Sequence, residues 1–210
     1  SVWVKRSEHG STTNNYLIEG YVNDSFRDAF SIYQDRLTCG SSTLAILRDL
    51  AAWYHLVISV DTTQASSALR TRVWINGQQD AIGGPLGSIW AQNYESSING
   101  PYHHNIGRSS YGGGVAYHNG YMAEMYLIDG QALLPTSFGK SDVNTGQWVP
   151  KKYTGTYGIN GFYLNFGDTS NLTATTLGKD SSGNNNNFTP VNFRLSQSNV
   201  YWSRYFTYGN

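Results

Sequence analysis

Glu124 and Asp129 are the carboxylates best placed to act together, because both fall in the stretch GYMAEMYLIDGQ, and a glycan hydrolase needs an acid and a nucleophile facing one another. They are five residues apart, and Asp129 already stands in an Asp-Gly turn. In an extended strand an odd interval puts two side chains on opposite faces. Hydrolysis is therefore disfavoured, and Glu124 reads as an acceptor for neighbouring donors. His103 and His104 are adjacent, so a strand would point them apart, and with His55 and His118 they give no His-x-His or His-x-x-x-His spacing. Zinc lacks a ligand set. Asp61, Asp168 and Asp180, with Asn184, supply the hard oxygens that calcium takes. Asp61 equally suits the end of a strand, capping a backbone N–H, and that reading is the stronger one. No Gly-x-Ser-x-Gly elbow is present, and Gly112 to Gly114 are not followed by the Lys-Ser/Thr of a phosphate loop.

A second constellation is aromatic. Trp90, Tyr94, Tyr102, Tyr111 and Tyr117 are interleaved with Gln92, Asn93, Asn105 and Asn119. Aromatic faces beside amides can stack on the apolar side of a pyranose and bond its hydroxyls. The same residue types are enriched where proteins meet one another. Contact with a neighbouring subunit is the reading favoured here, with a sugar site as its rival.

Strands and turns must carry these residues. In Trp53 to Gln79, Tyr54, Leu56, Ile58 and Val60 alternate with His55, Val57 and Ser59, and Val73 and Ile75 alternate with Arg72 and Trp74. This is the period of a strand rather than of a helix. Asn76-Gly77 then predicts a type I′ turn into a further strand. Trp53 and Trp74 are expected at or near the core. Further strands are expected near Val2–Lys5, Tyr16–Tyr21, Phe30–Gln34, Ser42–Leu47, His104–Gly107, Tyr121–Ile128, Gly161–Phe166 and Val200–Phe206. The one helical candidate is a turn opened by Pro135-Thr136-Ser137. Frequent strands separated by Gly and Pro turns predict an all-β fold, two antiparallel sheets packed as a sandwich. Residues 1–210 are expected to form one domain, with a loop-rich excursion at about 82–114 and a polar, Asn-rich loop at about 179–189. That second loop is too polar to order itself by burying apolar area.

Charged residues are only 13% of the 210, with 14 basic against 14 acidic. No net field draws the chain to nucleic acid or to an anionic bilayer, and no apolar run predicts membrane insertion. Cys39 is the sole cysteine and is expected to be a small buried hydrophobe. The sequons at Asn23, Asn171 and Asn187 carry no weight of their own.

The order WYHLVISVD, a loop, RVWINGQ and then GYMAEMYLIDGQAL resembles the laminin G-like, concanavalin A-like jelly rolls, over Trp53 to Phe138. WVKRS at Trp3 to Ser7, YTGTYGINGFYLNF at Tyr153 to Phe166 and the run LGKDSSGNNNNFTP are similar to a subgroup found in virion proteins of tailed phages, marine and cyanobacterial phages among them. The resemblance implies a jelly roll and a non-enzymatic virion structural protein, such as a tail fibre, spike or capsid decoration. Its partners would be other virion proteins and copies of itself, or a host surface glycan. The strand that such proteins place before WVKRS has no counterpart here, which predicts an open sheet edge and an assembly of three or more copies, or a larger polypeptide.

Overall fold

The computed structural model describes residues 1–81, 90–111, 116–195, 200–201 and 205–208. In chain order its strands begin with β1 (Val2–Arg6), β2 (Asn15–Asn23), β3 (Phe26–Tyr33), β4 (Arg36–Thr38), β5 (Tyr54–Val60), β6 (Thr71–Ile75), β7 (Gln78–Asp80) and β8 (His103–Ile106). They continue with β9 (Gly120–Ala123), β10 (Met125–Leu127), β11 (Gly139–Ser141), β12 (Trp148–Pro150), β13 (Phe162–Leu164), β14 (Thr189–Val191), β15 (Arg194–Leu195), β16 (Val200–Tyr201) and β17 (Tyr205–Tyr208). Eleven of them form two antiparallel sheets, ordered β7-β6-β5-β1-β9 and β14-β17-β8-β2-β3-β4, and the other six form the pairs β10-β13, β11-β12 and β15-β16, so the chain folds as an all-β sandwich.

Alternation builds the layer between the sheets. Val2, Val4, Leu56 and Val73 of the first sheet meet Leu17, Ile18, Ile32 and Ile106 of the second in one buried cluster. Cys39 belongs to that cluster, and burial pushes its thiol up to about 12. The β6–β7 turn has φ of +50° at Asn76 and +79° at Gly77, the torsions a type I′ turn requires. Gly77 is needed for a second reason: a Cβ there would lie 2.7 Å from the ring of Trp148.

The other face of the first sheet is covered rather than wet. Trp3 stacks on His55 with ring centroids 4.8 Å apart, and His55 is followed by Trp148 at 6.0 Å. Beside them Val57, Trp74, Tyr126, Phe138 and Tyr163 form a second buried cluster. The rings of Tyr126 and Tyr163 lie parallel, 4.3 Å apart. Over this face lie the 3-10 turn Pro135–Ser137, as expected at that proline, and the β11–β12 hairpin behind it.

Three expectations need revision or fall outside the described residues. Ser42–Leu47 is not a strand: past the isolated bridge Thr38↔Ser42, Ala45 and Leu47 give their N–H groups to Asp80 Oδ2 (3.0 Å) and the Asp35 carbonyl (2.7 Å), across a turn. Trp53 is 41% exposed, because the β1–β5 ladder stops at Tyr54, one residue short of it; Trp74, inside the β5–β6 ladder, is buried. Residues 82–89 and 112–115 of the excursion, and part of the last expected strand, lie outside the described residues.

The Asn-rich loop is ordered by its own amides. Asp180 accepts from the N–H of Tyr163 (2.9 Å), Ser182 (2.8 Å) and Asn186 (2.9 Å), and from the Ser182 hydroxyl (2.8 Å). Asn184 and Asn186 send their side-chain amides to carbonyls of Gly158, Ile159 and Gly161. Side-chain bonds to the backbone thus order the polar residues of the tract, while Phe188 near its end is fully buried in the core with its ring 4.8 Å from that of Phe162.

Candidate functional site

The residues singled out in the sequence separate into two groups. Asn93 and Tyr94 sit at the mouth of a cleft between the sheets, a cavity of about 870 Å³ floored by Leu17, Ile18 and Phe30. Asn93 holds φ of +59° and donates its N–H to the Thr62 carbonyl at 2.9 Å. The Tyr94 hydroxyl reaches both oxygens of Asp28 at 3.3 Å; burial, with the Asp28 charge beside it, pushes the phenol up to about 12. Trp90 packs against Tyr94 at 5.1 Å but is itself buried. Its carbonyl takes one bond from Arg70, whose guanidinium also holds the carbonyls of Gln64 and Ala65. Asp28, unremarked in the sequence, is the hub of the mouth: Ser96 Oγ, Ser97 N–H and Ser97 Oγ all donate to it. That segment presses so closely on β2 that a Cβ at Gly20 would lie 2.3 Å from the Ser97 carbonyl oxygen.

The second group lies on the outer face of the other sheet and at its end. Glu19 is paired across strands with Asn105 and Ala29, and Tyr21 with His103 and Arg27. Glu19 is fully buried and accepts from Asn105 Nδ2 (2.9 Å), Ser109 Oγ (2.7 Å), Ser110 N–H (2.8 Å) and Arg27 (3.4 Å). These donors satisfy a charge that burial would otherwise penalise. The Arg27 guanidinium lies 3.9 Å from the centre of the Tyr111 ring, which is 50% exposed. Tyr102, 37% exposed, meets Phe26 edge to face at 5.9 Å. Asn105 is buried and Tyr117 half-buried, bridging to Arg108. Of the expected contacts, Tyr102 and Tyr111 thus present rings to solvent, and Asn105 holds the carboxylate beneath them.

The remaining candidates have structural partners. Asp61 accepts from Thr63 Oγ1 and Gln64 Nε2, both at 2.6 Å, which holds its carboxyl below the usual range. The exposed Asp168 accepts from Ser170 Oγ at 2.6 Å, with the same effect. Glu124 sits at φ +51°, the break between β9 and β10, and accepts from the hydroxyls of Tyr163 (2.7 Å) and Tyr126 (3.1 Å). Asp129 accepts from Asn99 Nδ2 (2.9 Å) and Asn160 N–H (3.1 Å). No cluster of three or more His, Cys, Asp or Glu suited to a metal occurs among the described residues.

One signal was available among the residues that the sequence reading passed over. Glu19 is a lone carboxylate inside the apolar run YLIEGY, where a strand would be buried on both sides. Asp28 and Arg27 had no such mark. Fold and site together define an antiparallel β-sandwich with a buried acid network under an aromatic surface. Comparison with protein-family models, curated proteins and solved structures finds no match.

Proposed function

We propose that this chain is a non-enzymatic structural and adhesive module of a virion, built as a jelly roll. The observation that carries the adhesive part is the pair of exposed aromatic rings, Tyr102 and Tyr111, each already braced by Phe26 or Arg27. A large ring held in place before contact loses little side-chain entropy on binding. Its amphipathic edge suits a protein interface with a polar rim. The acids nearby support contact rather than hydrolysis: Glu19 and Asp28 are held by donors of the chain itself, and Glu124 by two tyrosines. Assignment to a virion, with other virion proteins and further copies of the chain as partners, draws on the WVKRS and LGKDSSGNNNNFTP motifs.

A second reading, recognition of a host surface glycan, draws on the same rings. Tyr111 with Arg27 alongside could stack a pyranose and bond its hydroxyls. Light scattering on the purified protein, together with a glycan array, separates the two. Assembly into three or more copies that weakens in Tyr102→Ala and Tyr111→Ala supports the first reading. Selective sugar binding lost in Tyr111→Ala supports the second. A monomer that binds no glycan and is absent from purified particles overturns both.

A further inference from the structure

The layer that covers the outer face of the first sheet stops one row short of its end. Trp3, paired with His55 on one side and Ala123 on the other, is buried, and so is His55. Two residues on, Lys5 stands on the same face and is only half-buried. Its partner across β9 is Tyr121, 44% exposed. On the β5 side, the register carried one residue past Val4↔Tyr54 sets Trp53 opposite Lys5. Tyr54 packs against the core, so Trp53, of the other parity, belongs to the outer face, in keeping with its exposure. At this end β1, β5 and β9 all run on into described residues, and Ser1 lies at the opposite end of β1.

Tyr121, Lys5 and Trp53 thus stand in line across three strands, with the cation between the two aromatic residues. Neighbouring strands lie about 4.8 Å apart, which separates those two residues by about 10 Å along the line. Gly120 sets the close approach of β9 to β1 beside Tyr121: it holds φ of +154°, and a Cβ there would lie 2.3 Å from the Lys5 carbonyl oxygen. Among the described residues Lys5 enters no ion pair and lies over no aromatic ring: the ion pairs are Arg6–Asp35 and Arg27–Glu19, and the cations over rings are Arg27 and Arg72.

We propose that this row binds an acidic sugar, a pyranose that carries a carboxylate or sulfate group. The flat apolar face of the sugar stacks on Trp53, its anion meets the Lys5 ammonium, and Tyr121 stacks the next unit of the glycan. Charge selects the class of ligand: two rings alone would take neutral and acidic sugars alike, whereas a free ammonium between them favours the anion. Lysine suits this task, because its compact charge on a flexible stem accepts an oxyanion from many directions. Size argues against a protein in the same place. A stable protein interface buries about 800 Å² per partner, which three side chains do not supply, while one or two sugar units need no more than these contacts. The row is separate from the surface bearing Tyr102 and Tyr111 on the other sheet, and the proposal stands whether or not that surface binds anything.

The test is a titration of the isotope-labelled full chain with trigalacturonate, with a sulfated galactose trisaccharide and with neutral cellotriose, each at millimolar concentration. Saturable shifts of the Trp53 indole N–H and of the Lys5 and Tyr121 amides are expected with at least one of the two charged sugars, and the one that binds identifies the anion. Cellotriose should bind about tenfold more weakly, and Lys5→Gln should bring the charged sugar down to that level, as the loss of one charge-assisted bond implies. Trp53→Ala should abolish binding while amide positions away from the row stay unchanged, and Tyr111→Ala should bind as the parent does. Absence of saturable shifts at these three residues with both charged sugars, equal binding of cellotriose, parent-like binding by Lys5→Gln, or loss of binding in Tyr111→Ala would each overturn the proposal.

Discussion

Trp148 donates its indole N–H to Nδ1 of His55 at 2.8 Å, joining residues 93 apart in sequence and fastening the β11–β12 hairpin to the first sheet. The bond fixes the tautomer. With Nδ1 accepting, Nε2 carries the hydrogen and donates to Ser1 Oγ, also at 2.8 Å. A neutral imidazole is therefore built into the layer between Trp3 and Trp148.

That neutrality makes stability depend on pH. Burial, the larger cause, pushes His55 down from 6.5 to about 3. In the unfolded chain the ring protonates near 6.5, so between there and about 3 the unfolded state holds the extra proton. The contribution of His55 is complete above the upper value and is lost progressively as pH falls toward 3, at up to about 1.4 kcal/mol per pH unit. His118, pushed to about 4, and His104, also lowered, act in the same direction, both chiefly through burial. Urea unfolding of His55→Gln across this range should show a shallower pH slope than the parent; an unchanged slope would contradict the assignment.

Glu19→Gln replaces an acceptor of four bonds by a group that is half donor, leaving its amide hydrogens against Asn105, Ser109 or the Ser110 N–H. A loss of about 1–3 kcal/mol is expected. Hydrogen exchange at Ser109 to Tyr111 should quicken, because these residues fold down onto the sheet through that carboxylate. An equally stable variant would show that the network is not what holds them.

Asp180→Ala removes the acceptor that closes the Asn-rich loop. A loss of about 1–3 kcal/mol is expected. Limited proteolysis should then cut within residues 181–187, where the parent resists. Equal resistance in the two proteins would assign the order of the loop to Asn184 and Asn186 alone.

Calcium is expected to leave the melting temperature unchanged, before and after chelation. Asp61, Asp168 and Asp180 lie in separate turns and each already accepts from serine, threonine or glutamine groups of the chain. A ligand held by the native state alone would raise the melting temperature with concentration, so a rise of several degrees at millimolar calcium would contradict this.

Much of the scaffold was legible because its signals are local. Period-two alternation placed β5 and β6, Asn76-Gly77 marked the turn, and Pro135 marked one of the three 3-10 turns among the described residues, those at Ser67–Leu69 and Ser97–Asn99 having gone unread. The odd interval between Glu124 and Asp129 presumes one unbroken strand, and the positive φ of Glu124 breaks the strand there. Trp53 misled because its apolar character says nothing about where a ladder stops.

By itself the amino-acid sequence determined strands, turns and the all-β class, since alternation and backbone torsions are properties of neighbours along the chain. Only the tertiary structure decided that Glu19 lies buried among Asn105, Ser109 and Ser110, that Trp148 reaches His55, and that Asp28 gathers Ser96 and Ser97. Each depends on segments tens of residues apart meeting in space. Hydrogen-bond saturation and strand pairing are set by those meetings and leave no period in the sequence to be read.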